Sequence, residues 1–269
     1  MKMYSVLIIG AGKQASEADH PNSDKIISFA HAFKKYGQFE VIFYDIDIQK
    51  AYKSAEKWDA HWIGDYKKHL SKYDVDIIVV TTTDETHYEI LKDIVYYKPK
   101  LVLTEKPITT NLDQAYEIVE LYKNNNIPLM VNYTRRFLPY YQDLKQRYEN
   151  DEFGELTYYN IIYNRGLLHT GTHGIDFMIW FLGMDRYDDW KLTEANDNYR
   201  VWQIQLFFEE YFWQEQRILN MPVWDYYDKS HWHIVDNIYK FLQGEEDLKC
   251  TGKDALKALE IAFHLKGAN

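Results

Sequence analysis

One turn constrains this chain more than any other feature: Gly10-Ala11-Gly12-Lys13-Gln14-Ala15, placed directly after the apolar run Tyr4 to Ile9. It fits the pattern G-x-G-x-x-(G/A) that joins the first strand to the first helix of a dinucleotide-binding sheet. Glycine is wanted there because a Cβ would block the tight turn and hold the backbone away from a pyrophosphate, which helix N-terminal amides then bind. Alone, two such glycines say little, since glycine follows strands in many turns. An acid closing the second β-rich run strengthens the signal. That acid is Asp45, in Phe43-Tyr44-Asp45-Ile46-Asp47. A carboxylate in this place accepts hydrogen bonds from the adenosine ribose hydroxyls and repels a 2′-phosphate, so NAD(H) is expected over NADP(H). The competing role, capping the next helix, suits Asp47 better.

The spacing departs from the simple pattern. About 20 residues usually separate the last small residue of the turn from the acid, whereas Ala15 and Asp45 lie 30 apart. The surplus falls in Ser16 to Ser23, SEADHPNS, where Pro21 and Asn22 read as a loop. The main body of the first helix is therefore expected to begin near Ser23. Either a short helical turn still follows the glycines or the pyrophosphate is held differently, and the insertion has the reach to act as a lid.

Around these motifs the first 131 residues alternate strand and helix patterns. Near-continuous apolar runs at 39–45, 75–82, 99–104 and 128–131 join the one at 4–9, the texture of parallel strands covered on both faces. Helical stripes separate them: Ile26, Phe29, Ala30 and Phe33, stopped at Gly37, and Leu112, Ala115, Val119 and Tyr122, with Asn111 as N-cap and Gln114 three positions on. Such alternation implies a doubly wound parallel sheet, because parallel strands need crossover connections. After residue 134 the rhythm changes: a helix at 137–149, a Tyr-rich strand from Leu156 to Asn164, a helix near 172–182, β-like stretches around 188–194 and 200–220, and two closing helices. The last of these opens with Thr251 and Asp254 in a capping arrangement. The expected architecture is α/β: an N-terminal Rossmann domain over 1–133 and a smaller α+β domain with a reduced open sheet over 134–269, its closing helices free to pack back on the first domain.

Composition narrows the partners. The formal net charge of −10 argues against nucleic acid, whose phosphates need a surplus of Lys and Arg; a small anion needs only a few local cations. Cys250 is the only cysteine, so no intramolecular disulfide forms and a reducing compartment is natural. The N-terminal apolar run is too short for a signal peptide, and no stretch approaches the ~20 apolar residues of a membrane span. A cytoplasmic protein that binds neither membrane nor nucleic acid is expected.

Three further motifs follow in order. Glu105-Lys106-Pro107 ends a strand at the carboxyl edge, where open α/β sheets bind ligands. Asn132-Tyr133-Thr134-Arg135-Arg136-Phe137 marks the domain junction, and Gly166-Leu167-Leu168-His169-Thr170-Gly171-Thr172-His173-Gly174-Ile175-Asp176 opens a helix in the second half. Together with the first-strand glycines, this series resembles the glucose–fructose oxidoreductase / inositol dehydrogenase (Gfo/Idh/MocA) family over nearly the whole chain. The resemblance implies an NAD(P)-dependent dehydrogenase or reductase of sugars, sugar nucleotides or cyclitols, with a C-terminal open sheet that often forms the oligomer interface. It implies that Lys106 is the active-site lysine and His173 the catalytic histidine, and that His169 stands where many members have an aspartate. His87, in Thr83-Asp84-Glu85-Thr86-His87, matches a frequent histidine after the fourth strand; a helix–sheet filler is the duller reading, and it stays outside the catalytic set. Lys13 and Gln14 of the turn, Thr81 and Thr82 at the end of the fourth strand, and Glu105 join Gly10, Gly12 and Asp45 as expected cofactor contacts.

The chemistry agrees with those roles. Oxidising a secondary alcohol requires a base for the hydroxyl proton, and histidine, with an ordinary pKa of ~6.5, exchanges protons at neutral pH. A lysine desolvated beside a cationic nicotinamide has its pKa lowered and can polarise or deprotonate the alcohol. His169 and His173 are four apart, a spacing that zinc also uses, yet no nearby carboxylate or cysteine completes a set, and no metal is expected. Arg135 and Arg136 either bind a substrate phosphate or pair with acids, pairing being the better expectation. The second domain has about 135 residues, and its aromatic stretch (Trp202, Phe207, Phe208, Tyr211, Phe212, Trp213) exceeds what a small solvent-facing sheet exposes, so a homo-oligomer through that sheet is expected. The short second domain and the insertion look similar to family members of surface-polysaccharide sugar synthesis, which favours a sugar nucleotide. A nucleotide-sensing regulator without turnover is the alternative.

Overall fold

Six parallel strands form one sheet in the computed structural model, which describes residues 2–163, 166–186, 190–191, 203–209, 216–220 and 227–267. They are β1 (Tyr4–Ile9), β2 (Phe39–Tyr44), β3 (His61–Trp62), β4 (Ile77–Val80), β5 (Leu101–Thr104) and β6 (Leu129–Val131). The order is β3-β2-β1-β4-β5-β6, the doubly wound arrangement whose direction of growth reverses between β1 and β4 and leaves a crevice at their carboxyl ends. Val6 to Ile9 and Ile77 to Val80 are fully buried, as strands covered on both faces must be. The two-residue edge strand β3, both of its residues exposed, is too short to leave a pattern in the sequence.

The helices follow from their caps. Ser28 caps α1 (Phe29–Tyr36), which stops at Gly37 with φ +83°. Asp47 accepts from the Gln49 amide at 3.0 Å and caps α2 (Ile48–Trp58). After α3 (Tyr66–Leu70) and α4 (His87–Ile94) comes α5 (Leu112–Asn124), where Asn111 accepts from the Gln114 amide at 3.1 Å. The expectation that the first helix begins near Ser23, with Ile26 on its stripe, needs correction. Ile26 lies in non-helical chain, its amide bonded to the Asp228 carbonyl at 2.6 Å. The cause is Asp19 in the insertion. Its carboxylate accepts from the amides of Ile27 (2.7 Å) and Ser28 (3.2 Å), binds the Ser28 hydroxyl and meets His31 Nδ1 at 3.0 Å, which holds this segment non-helical until Ser28. Lys57 donates to the Ser16 carbonyl (2.7 Å) and Trp58 Nε1 to the same oxygen (3.2 Å), so the start of the insertion is fastened to α2.

By contacts the chain divides into two units, Met1–Thr134 with Asp228–Leu256, and Arg135–Tyr227 with Lys257–Asn269. In the first, α8 (Ser230–Gln243) packs on α1, with the His231 ring 4.5 Å from that of Phe29. Burial pulls the His231 pKa down to about 4. Below its ordinary value near 6.5 the unfolded chain binds a proton that the folded chain refuses, so stability is full above 6.5 and is lost as pH falls toward 4, by about 3 kcal/mol. Urea titrations at pH 7 and 4.5 are expected to show this loss in the wild type and a flatter profile in His231→Asn.

The helix α9 (Gly252–Gly267) opens with the reciprocal bonds of a capping box, the Thr251 amide to Asp254 (2.8 Å) and the Asp254 amide to Thr251 (3.3 Å). In the second unit, α6 (Pro139–Glu149) and α7 (Thr172–Leu182) enclose a core of Leu138, Tyr141, Leu144, Phe153, Phe177, Met178 and Phe181. Its described strands β7 (Glu155–Ile162), β8 (Gln203–Glu209) and β9 (Gln216–Asn220) pair antiparallel in that order. Trp202, Tyr211, Phe212 and Trp213, and most of the β-like stretch at 188–194, lie outside the described residues. No described helix is long and apolar enough to cross a membrane.

Candidate active site

The glycine turn is built from both sides of β1. Gly10 has φ +98°, and a Cβ on it would meet the backbone carbon and oxygen of Thr81 at 2.9 Å. The Thr81 hydroxyl points back at the same turn, 2.8 Å from the Gly10 carbonyl, while Thr82 accepts from the Thr86 hydroxyl at 2.8 Å. After Gly12 comes a short π-helical turn, Lys13–Glu17, so the first of the two alternatives for this region holds. Nothing lies within 4 Å of a Cβ built on Gly12, and Lys13 and Gln14 beside it are exposed. The first amides of a helical turn have no partner within it. Open space, amides with no partner inside the turn and absence of a side chain fit a dinucleotide pyrophosphate. Gly10→Ala is expected to cost about 2 kcal/mol in urea denaturation, through backbone strain and the clash with Thr81. Gly12→Ala is expected to change folding by only tenths of a kcal/mol yet weaken NADH binding.

Asp45, half-buried at the end of β2, already has work in the chain. Its two oxygens accept from the Ala11 amide at 2.7 Å and the Asp47 amide at 2.8 Å. It therefore ties the glycine turn to the start of α2. A carboxylate has about four lone-pair directions, so both oxygens retain capacity for ribose hydroxyls.

At the end of β5, Glu105 accepts from Asn132 Nδ2 at 2.7 Å, and burial pushes its carboxyl pKa up. Asn132 in turn accepts from the Thr134 hydroxyl at 2.9 Å, which links the tips of β5 and β6. Lys106 is buried, with 8% of its surface exposed. His87, the first residue of α4, is wholly buried between the tips of β4 and β5. Burial of the ring lowers its pKa.

In the second unit, His169 is exposed on a π-helical stretch, Leu167–Gly171, that precedes α7, and His173 is half-buried in the first turn of α7. Gly174 seats that turn on β7, since a Cβ there would meet the Ile161 side chain at 2.6 Å. Asp176, one turn beyond His173, is held by Arg136 through three contacts of 2.8 to 3.1 Å. Both side chains are at least 95% buried, with 5% and 2% of their surface exposed. Arg136 is thus committed to structure, as expected. Arg135 is buried with its guanidinium 5.7 Å from the Tyr227 ring. No group of three metal-ligating side chains occurs among the described residues.

Asn132, Asp176 and Asp19 take roles in the structure that their place in the sequence did not assign. The signal for Asp176 was its place three residues after His173. For Asp19 there was none, because an acid in a polar loop looks solvated.

Strand order, glycine turn and acid together define a Rossmann-type dinucleotide-binding domain. Residues 4–133 match the Gfo/Idh/MocA oxidoreductase family, with its NAD-binding Rossmann fold, and the domain they form belongs to that family. It is 32% identical to inositol 2-dehydrogenase 2 of Saccharopolyspora erythraea over 124 residues, 42% of this chain and 36% of the relative. The chain thus spans only about a third of the length of the curated relatives it matches. Whole-chain likeness appears in structure. An oxidoreductase from Agrobacterium radiobacter, solved with NAD+, L-tartaric acid and magnesium, superposes with TM-score 0.75 at 15% identity, covering 100% of this chain and 98% of that one. The WlbA dehydrogenase of Bordetella pertussis, solved with NADH and UDP-GlcNAcA, gives TM-score 0.72 at 13% identity, covering 99% and 95%.

Proposed function

We propose that the chain is an NAD(H)-dependent oxidoreductase that interconverts a secondary alcohol and a ketone on a sugar or sugar nucleotide. The observation that carries this reading is the pairing of an open glycine turn with a buried lysine at the next-but-one strand tip of the same sheet. The turn, Lys13, Gln14 and Asp45 hold the dinucleotide, with Thr81 and Thr82 shaping the turn and Glu105 fixing the neighbouring tip. NAD(H) is favoured because a carboxylate at the end of β2 repels a 2′-phosphate. Ile46, directly after it, is 95% exposed and offers an apolar surface rather than a cation. Bound nicotinamide supplies the hydride chemistry. Lys106 and His173 handle the proton of the substrate hydroxyl, and His169 contributes one hydrogen bond where an acid would add charge. Sugar nucleotides enter as a class through the likeness to WlbA and the short second domain.

The test is a panel of keto-sugars, inositols and UDP-sugars followed by NADH absorbance. Turnover of at least one is expected, with NADPH a poorer donor. Tight NADH binding with no turnover across the panel would favour a nucleotide-sensing regulator instead.

A further inference from the structure

His87 is a buried titratable group beside the proposed cofactor turn that the reaction does not use. Its Nδ1 lies 2.8 Å from the Pro107 carbonyl oxygen and its Nε2 lies 3.2 Å from the Thr82 carbonyl oxygen. Carbonyl oxygens only accept, so a hydrogen bond in either contact needs the imidazole nitrogen as its donor. A neutral ring carries a single N–H, and the shorter contact claims it. The two carbonyls belong to different strand tips. Pro107 immediately follows Lys106. Thr82 immediately follows Thr81, whose hydroxyl and backbone hold Gly10. One ring thus spans from the glycine turn's support to the residue after the lysine. A side chain that merely filled the space between helix and sheet would need no ring nitrogen aimed at each tip.

We propose that His87 is a positioning residue, whose Nδ1–H bond to the Pro107 carbonyl fixes the Lys106–Pro107 turn and thereby places the Lys106 amine with respect to the glycine turn. The inference rests on the reading of Lys106 as the proton-handling residue. Asp84 and Lys106 are the charged groups whose fields reach the ring. The bond is made from a rigid element, the start of α4, and misplacing a reacting group by about an ångström costs on the order of a hundredfold in rate.

The atom-specific prediction separates positioning from filling. In His87→Asn the amide nitrogen takes the place of Nδ1, in His87→Gln that of Nε2, and His87→Leu keeps bulk without a donor. Each full-length variant is assayed with whichever substrate the panel yields, and for NADH affinity by fluorescence. Competitive acetylation with acetic anhydride, read by mass spectrometry, reports Lys106 reactivity without any substrate. His87→Gln and His87→Leu are expected to lose about tenfold or more in kcat, with the NADH Kd within about twofold and an altered Lys106 acetylation rate. His87→Asn is expected to stay within about threefold of wild type in kcat and to keep the wild-type acetylation rate. Wild-type Lys106 acetylation in both His87→Gln and His87→Leu overturns the proposal, as does equal loss in Asn and Gln. If His87→Leu fails to fold, the Asn–Gln pair still decides. Retained turnover in Lys106→Ala sinks the role of Lys106 instead, and the acetylation measurement then still tells whether His87 positions it.

Discussion

Replacing Lys106 by alanine is expected to lower turnover on the panel's best substrate by about a thousandfold, within the range by which a positioned acid or base accelerates proton transfer. NADH affinity is expected to stay within about threefold, because the turn proposed to hold the dinucleotide is braced by Thr81, by Asp45 and by the Tyr44 carbonyl, which accepts from the Gly10 amide at 2.8 Å. Lys106→Arg keeps the positive charge but removes the readily lost proton, so it is expected to resemble alanine in rate. A variant with full activity would show that the proton passes through His173 or His169 alone. The measurement is steady-state kinetics beside a fluorescence titration with NADH.

The second large effect concerns the buried pair of Arg136 and Asp176. Asp176→Ala strands a guanidinium that is 5% exposed, and breaking a buried pair on one side typically costs about 3–5 kcal/mol. Replacing both partners, as Arg136→Met with Asp176→Leu, is expected to recover most of that loss, since the pair's own desolvation penalty disappears with it. Urea denaturation of Arg136→Met, of Asp176→Leu and of the double variant closes the cycle. Equal losses in all three would mean the charges are hydrated. Because Asp176 follows His173 by three residues in α7, the double variant also shows whether the histidine needs the ion pair or only the helix.

What the sequence disclosed and withheld follows the range of the interactions. The sheet's strands other than β3, the glycine turn and the caps at Asp47, Asn111 and Thr251 were legible because each depends on neighbours within a few residues. Lys106 and His173 stood out through motif order, and the structure places the first, buried, just after β5 and the second, half-buried, in the first turn of α7. The late start of α1 was not, since a single carboxylate at Asp19 sets it by reaching eight to twelve residues along the chain. Nor was the second duty of Asp45, whose partner Ala11 is 34 residues away. The pair of Arg136 and Asp176, 40 residues apart, was foreseen on one side only: the arginine suggested pairing, but no local pattern names its acid.

The insertion that delays α1 also limits how this domain can be exchanged with those of its relatives. Asp19 satisfies Ser28 and His31 of α1, while Ser16 and the Asp19 carbonyl take their donors from Lys57 and Trp58 at the end of α2. Shortening residues 16–28 to the ordinary spacing would orphan polar groups on two helices at once, so the segment is no freely trimmed loop. The smallest transplantable piece runs from the glycine turn through Trp58. Chimeras cut anywhere inside it would join halves that no longer share their hydrogen bonds.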